Sequence, residues 1–188
     1  FKNPDHYVHQ AERLAEELAK TEPNGVLYAN QWDNVSNRNG HVRSTGPEIW
    51  EQTDGKVDAF TCAIGTGGTL AGVGIFLKER NPAIRIIGVE PASRHHGLSG
   101  LKRLTGLPDE HYPKILDPNL LDELVSVTDE EAYGAGIELA RREGIMVGPT
   151  TGAALHAALH ADLPKLGRAV IISADNSAKY ISAYASYL

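Results

Sequence analysis

The sequence predicts an α/β fold: a twisted parallel sheet with helices packed on both of its faces. Two observations carry that prediction. Apolar runs of strand length, at 57–62, 85–90, 124–127 and 169–173, alternate with segments of helical period, which is the signature of strand–helix–strand units. The first of these runs also enters a helix through Gly65-Thr66-Gly67-Gly68-Thr69. Glycines let several backbone N–H groups converge, the first N–H groups of a helix lack intrahelical partners, and the helix dipole favours negative charge there. Thr66 and Thr69 add hydroxyl donors, so a phosphate is the ligand this corner suits.

Composition removes several other classes. At 188 residues the chain makes one large or two small domains, with ample material for a core. A net charge of −6 and a pI near 5.7, with no basic cluster, exclude a nucleic-acid surface. The single cysteine, Cys62, sits inside an apolar strand and reads as a buried structural thiol rather than part of a disulfide framework. No apolar run approaches membrane-spanning length and no signal peptide is visible. These features suit a cytoplasmic enzyme, and a first residue of Phe rather than Met is expected of a processed or partial product.

Taken in order, a helix over 5–20 carries the apolar stripe Val8, Ala11, Leu14, Ala15 and Leu18. Pro23-Asn24-Gly25 turns the chain into a buried strand at 26–29, and the polar stretch 34–41 reads as a loop whose asparagines are turn residues. Thr45-Gly46-Pro47-Glu48 is a capping box with a proline in the first turn, opening a helix to Gln52. After the glycine loop, Leu70, Val73 and Leu77 line one face of a helix that Asn81-Pro82 stops. The next strand ends in Glu90, at about the offset, roughly 20 residues, of the acid that binds ribose in dinucleotide folds. Against that reading, Leu70 stands where the dinucleotide fingerprint wants its third glycine, and no Lys-Ser/Thr closes the loop as in a nucleotide-triphosphate site. The other reading of the loop is a turn needed only for tight strand–helix packing.

Between 91 and 122 the pattern weakens. His95 and His96 lack further ligands at metal spacing and read as a solvated loop, while Arg94, Lys102 and Arg103 are candidates to meet an anionic substrate. Thr128-Asp129-Glu130-Glu131 is a second capping box, opening a helix to Glu143 with Ala132, Ala135, Leu139 and Ala140 inward and Gly144 as its stop. A buried strand at 145–147 places Met146 in the core. Gly148-Pro149-Thr150-Thr151 then forms another strand-to-helix corner, where threonine serves commonly as an N-cap. Asp175, after the last strand, either caps a helix or fixes that corner.

Gly65-Thr66-Gly67-Gly68-Thr69, preceded by Asn30-Gln31-Trp32-Asp33-Asn34 and Thr45-Gly46-Pro47-Glu48-Ile49-Trp50 and followed by Gly88-Val89-Glu90-Pro91, resembles the cysteine synthase family. The resemblance runs from about residue 11 to 180 and ends on Asp175-Asn176-Ser177, similar to the family's Asp-Ser-Gly corner. Members are β-replacing enzymes that use pyridoxal 5′-phosphate and share the tryptophan-synthase-β fold with cystathionine β-synthase. The resemblance implies that Gly65, Thr66, Gly67, Gly68 and Thr69 hold the cofactor phosphate and that Thr150 faces the pyridine nitrogen. A neutral hydroxyl there leaves the nitrogen unprotonated and the ring a moderate electron sink. It also implies that Gln31 and Gly100 face the substrate and that residues 1–34 end a smaller domain and 35–188 form the larger one; no set of residues at metal-ligand spacing is visible, so no metal is expected.

The implied reaction makes L-cysteine from O-acetylserine or O-phosphoserine and a sulfur donor by β-elimination and replacement. Cystathionine β-synthase and serine or threonine dehydratase are alternatives on the same fold. A noncatalytic phosphate- or nucleotide-binding or scaffolding module is an alternative of another class. The stretch Gly97-Leu98-Ser99-Gly100-Leu101-Lys102-Arg103 departs from the best-known members and is more similar to relatives that use O-phosphoserine or a protein thiocarboxylate. The family's Schiff-base lysine, in an Asn-x-x-x-Ser-x-Lys-Asp-Arg motif, and its Thr-Ser-Gly-Asn-Thr motif are both absent. None of Lys2, Lys20, Lys56, Lys78, Lys102, Lys114, Lys165 and Lys179 has that context. The chain therefore reads as the C-terminal part of such an enzyme, lacking the N-terminal part and inactive alone. The missing N-terminal segment and a second copy in a homodimer are its implied partners, with no nucleic acid or membrane.

Overall fold

The computed structural model describes residues 3, 5–164 and 167–188; Lys2 and Lys165 lie outside them. Four strands, β1 (Ala59–Ala63), β2 (Arg85–Pro91), β3 (Glu123–Val127) and β4 (Ala169–Ile171), form an all-parallel sheet in the order β3-β2-β1-β4. Helix α4 (Gly68–Arg80) joins β1 to β2, and α5 (Asp129–Glu143) and α6 (Pro149–His160) lie between β3 and β4 in the chain. The period of two along β1 divides its side chains between two cores. Phe60 and Cys62 join Leu70, Val73, Leu77 and Ile86 beneath α4 and α3 (Thr45–Gln52), while Ala63 packs on the other face with Val89, Val127, Ala132, Tyr133 and Ala153. Helices thus cover both faces, as the alternation predicts. Burial pushes the Cys62 thiol up to about 12, which makes it an inert core group.

The local signals mostly hold. Thr128 and Glu131 form both halves of the predicted capping box, and Gly144 ends α5 in the left-handed region at φ 70°. Tyr133 and Gly136 are buried along with Ala132, whereas Ala135, Leu139 and Ala140 are only half-buried. His96 lies in a loop, its Nδ1 accepting from Leu98 N at 3.2 Å. Among the described residues, no helix is long and apolar enough to cross a membrane.

Five readings need correction. The predicted loop at 34–41 is a helix, α2 (Val35–Arg43), capped by the Asn34 side chain, which accepts from Ser36 N. Its asparagines and Gly40 are poor helix formers, so its stability comes from packing on α4. A β-carbon on Gly72 of α4 would lie only 2.3 Å from the Arg38 carbonyl oxygen, so the two backbones meet at that glycine. Helix α3 follows directly, and its predicted capping box is not made: the N-cap Ser44 turns its hydroxyl back to the Gly40 carbonyl at 3.0 Å, and the Thr45 hydroxyl turns to His41 Nδ1 at 2.9 Å.

The predicted strand at 26–29 has no regular secondary structure and no strand partners among the described residues, and Leu27 is 88% exposed. An apolar run becomes a strand only where a ladder awaits it. For the same reason α1 (Tyr7–Leu18) buries none of its residues despite its predicted stripe. At 145–147, Val147 alone makes a bridge, to Asn176, and Met146 is 65% exposed rather than in the core.

Candidate functional site

Where β1 ends, the chain turns through the glycine loop into α4 and opens a cavity of about 340 Å³. Its lining comes from the Gly65–Leu70 loop, from Gly100, and from Thr150, Asp175 and Tyr180. Ligands of open α/β sheets bind at this carboxyl end of the strands. Gly67 is the N-cap of α4 at φ 84°, a conformation costly for any residue with a β-carbon. The next residue, Gly68, has no room for one, since it would lie 2.3 Å from Asn37 Oδ1. The Thr69 and Leu70 N–H groups find no acceptor among the described residues, so the start of α4 retains its donors for an anion.

Helix α2 holds the loop in place. Asn37 Nδ2 donates to Thr66 Oγ1 at 3.1 Å and to the Gln31 carbonyl at 2.8 Å, and Gly68 N donates to the same Thr66 oxygen at 3.3 Å. One turn on, His41 bridges two threonines, Nδ1 to Thr45 Oγ1 at 2.9 Å and Nε2 to Thr69 Oγ1 at 3.1 Å. Burial lowers the His41 pKa, so its ring is neutral near pH 7 and carries one N–H. With that proton on Nε2, Thr45 donates to Nδ1 and His41 donates to Thr69. The Thr69 hydroxyl proton is then left for the cavity.

The structure brings Gly65, Thr66, Gly67, Gly68, Thr69, Gly100 and Thr150 to one cavity. The Thr150 side chain is nearly buried, and among the described residues its hydroxyl makes no hydrogen bond. Asp175 takes both roles considered for it: it lines the cavity and accepts from Thr150 N at 3.1 Å and Thr151 N at 3.0 Å. Gln31 is placed differently. Its exposed side chain lies in a neighbouring cleft with Tyr28 and Trp32, and only its carbonyl, through Asn37, reaches the loop. Sequence reasoning missed Asn37 and His41. Their spacing of four, matched by Gly68 and Gly72 on the facing helix, is the signal that would have found them.

Two candidate roles are overturned. Glu90 is fully buried and its carboxylate accepts from Leu104 N (2.7 Å), Thr105 N (2.9 Å), Thr105 Oγ1 (2.6 Å) and Ser126 Oγ (2.9 Å). Burial pushes this carboxyl up, but the bonds from Thr105, Ser126 and Leu104 together hold it below the ordinary value. A carboxylate so occupied has no capacity for a ribose, so the dinucleotide reading fails. Arg94, Lys102 and Arg103 are likewise engaged with carbonyls: Arg94 with Gly106, Lys102 with His111 at 2.9 Å, and Arg103 with Pro91 and Ala92. The Lys102 ammonium also lies over the Trp32 ring, 4.7 Å from its centroid. These cations staple the 94–116 segment, and none lines the glycine-loop cavity.

Comparison with known proteins agrees with this geometry. Residues 3–175 match the family model described as pyridoxal-phosphate dependent enzyme. A cysteine synthase from Aquifex aeolicus is 40% identical over 171 residues, covering 88% of this chain and 51% of that protein. A cystathionine β-synthase from Apis mellifera is 34% identical over 99% of this chain and 38% of that protein. The crystal structure of O-acetylserine sulfhydrylase isoform 3 from Entamoeba histolytica superposes with a TM-score of 0.78 at 31% identity, over 91% of this chain and 52% of that one. The chain spans about half the length of the curated cysteine synthases it matches.

Proposed function

The chain belongs to the pyridoxal-phosphate dependent enzyme family, and from that premise we propose that it is the larger-domain part of a cysteine synthase-like β-replacing enzyme. The cofactor phosphate sits in the Gly65–Thr69 loop, and the Thr150 hydroxyl faces the ring nitrogen. When bound, the cofactor supplies an electron sink that labilises substituents on an amino-acid substrate. The protein's own residues bind and orient it. The α4 N-terminus and the Thr66 and Thr69 hydroxyls take the phosphate, Asn37 and His41 hold those hydroxyls, and Gly100 keeps the substrate side open. The single observation that carries this reading is the start of α4, with its free donors and its glycine fitted around Asn37.

An O-activated serine is the proposed substrate and a sulfur nucleophile its partner. The cystathionine β-synthase relatives keep that activity as the second reading. Gln31 belongs to the same proposal as a substrate contact, as do the domain boundary near residue 34, a homodimer and a cytoplasmic location. No lysine lines the cavity among the described residues, which supports the proposal that this chain alone does not turn over and needs the N-terminal segment of the enzyme. The exposed apolar face of α1 and Leu27 is the surface that segment would cover.

The test is borohydride reduction with pyridoxal phosphate, followed by intact-mass measurement and peptide mapping. The expected result is no site-specific lysine adduct on this chain while pyridoxamine 5′-phosphate, which forms no imine with lysine, still binds it. Stoichiometric reduction onto one lysine, with turnover of O-acetylserine and sulfide by the pure chain, would refute the claim of inactivity. Failure to bind pyridoxamine phosphate would refute the cofactor site.

A further inference from the structure

Two helices, α4 and α6, present their N-termini to the same cavity, and they present them in opposite electrical states. At α4, Gly68 N is held within the loop by Thr66 Oγ1, and the Thr69 and Leu70 N–H groups find no acceptor among the described residues. At α6 the first-turn donors are all accounted for. The N-cap, Gly148, has no side chain to cap with, and Pro149 at the first position has no N–H. The next two N–H groups, of Thr150 and Thr151, both go to the Asp175 carboxylate, which also accepts from the Thr151 hydroxyl at 2.6 Å. Asp175 closes the grip with its main chain, whose carbonyl accepts from Gly148 N at 3.1 Å.

This is a cap delivered from a distant part of the chain, and the local sequence is cut to receive it. A β-carbon on Gly148 would lie 2.2 Å from Asp175 Cγ, so an ordinary serine or aspartate cap and the remote carboxylate exclude each other. The charge is felt nearby as well. The Tyr184 hydroxyl, bonded to the Val147 carbonyl, is pushed up to about 12 by burial first and then by Asp175. Asp175 also separates two adjacent threonines by role, binding the Thr151 hydroxyl and leaving that of Thr150 to the cavity.

Resting on the cofactor-site reading above, we propose that Asp175 is a positioning residue that gives the cavity its polarity. It fills the anion-attracting end of α6 with a fixed carboxylate. A phosphorylated cofactor therefore places its phosphate at α4, and its uncharged ring edge meets the Thr150 hydroxyl. An α6 without that carboxylate would offer a second, competing seat for phosphate.

The experiment uses the full chain, with pyridoxamine 5′-phosphate and inorganic phosphate as separate probes in calorimetric titrations, and circular dichroism to check helix content. Asp175→Ala is expected to weaken pyridoxamine phosphate roughly tenfold, the scale of a lost charged hydrogen-bond anchor. At the same time it should bind a second equivalent of inorganic phosphate. Asp175→Asn, which keeps an acceptor and loses the charge, should show a smaller loss and the same gain, and it carries the test if the alanine variant loses helix content. A purely structural role would weaken both ligands together without creating a second phosphate site, and that result overturns the proposal. So does unchanged binding of both probes by both variants. A parent chain that binds neither probe removes the cofactor-site reading and this proposal with it, whereas a binding parent with indifferent variants removes only the role of Asp175.

Discussion

Replacing Gly72 by alanine places a methyl group where the backbones of α2 and α4 touch. In the structure the new carbon would lie 2.3 Å from the Arg38 carbonyl oxygen and 2.6 Å from His41 Cβ, against 3.4 Å or more for ordinary contact. One atom is backbone and the other is fixed to it, so no flexible side-chain end can give way; α2 must retreat by about 1 Å. Two effects oppose each other. Alanine is a better helix former than glycine by about 1 kcal/mol, whereas overpacking costs about 1–3 kcal/mol. The retreat also carries Asn37 and His41 away from Thr66 and Thr69, at about 1 kcal/mol for each bond. The expected net result is a loss of about 2–4 kcal/mol, measured by urea denaturation, with pyridoxamine phosphate binding weakened roughly tenfold. Gly40→Ala in α2 and Gly134→Ala in α5 are the controls, because nothing lies within 4 Å of either new carbon. Each should gain about 0.5–1 kcal/mol. If Gly72→Ala behaves like the controls and keeps its ligand, α2 does not hold the loop as described.

Other perturbations probe the remaining contacts. Glu90→Gln should cost about 2–3 kcal/mol in denaturant titrations, since it removes a fully buried charged acceptor from four donors. The Glu90 pKa is held below 4.5, so the contribution of this carboxylate is complete above that value and is lost as pH falls through the lower, folded one. The glutamine variant should therefore show a flatter acid limb than the parent. His41→Ala should weaken pyridoxamine phosphate roughly tenfold while leaving the sheet intact by circular dichroism. The His41 pKa is lowered from 6.5, so the neutral ring contributes fully above that value and the parent loses this stability as pH falls below it. Identical pH–stability curves for parent and variant between pH 7 and 5 would contradict that assignment.

The parts of the fold legible in the sequence are those whose signals are local. β1, the glycine loop, α4 and β2 follow one another without interruption, and strand run, turn glycines and helix stripe each occur within a few residues. The capping box at Thr128 is likewise complete in itself. What stayed hidden depends on partners far along the chain. Asn34 to Arg43 has the composition of a loop and becomes a helix because Gly68 and Gly72 leave a groove for it. Residues 26–29 have the composition of a strand but find no ladder. Glu90 has the position of a ribose ligand, and only the fold reveals that Leu104, Thr105 and Ser126 have already claimed it. In the site, the glycines were readable as chemistry, and Thr150 was singled out by the family resemblance. Asn37 and His41, which orient that chemistry, were not readable, because their partners lie 29 and 28 residues away.

The strand order also sets a timetable. In the finished sheet Ala59 lies beside Arg85 on one side and Ala169 on the other. A chain made from its N-terminus can therefore assemble β1, α4 and β2 early, while the opposite margin of β1 waits for the last strand. At equilibrium the longer closure costs only about 1 kcal/mol more than the shorter one. Distant pairings are nonetheless slow to form, so the phosphate cradle should exist before the ring end of the pocket does. Amides of β2 are expected to gain protection from hydrogen exchange ahead of those of β4. Until β4 docks with Asp175 close behind it, the nascent sheet offers a bare central strand to any neighbouring chain.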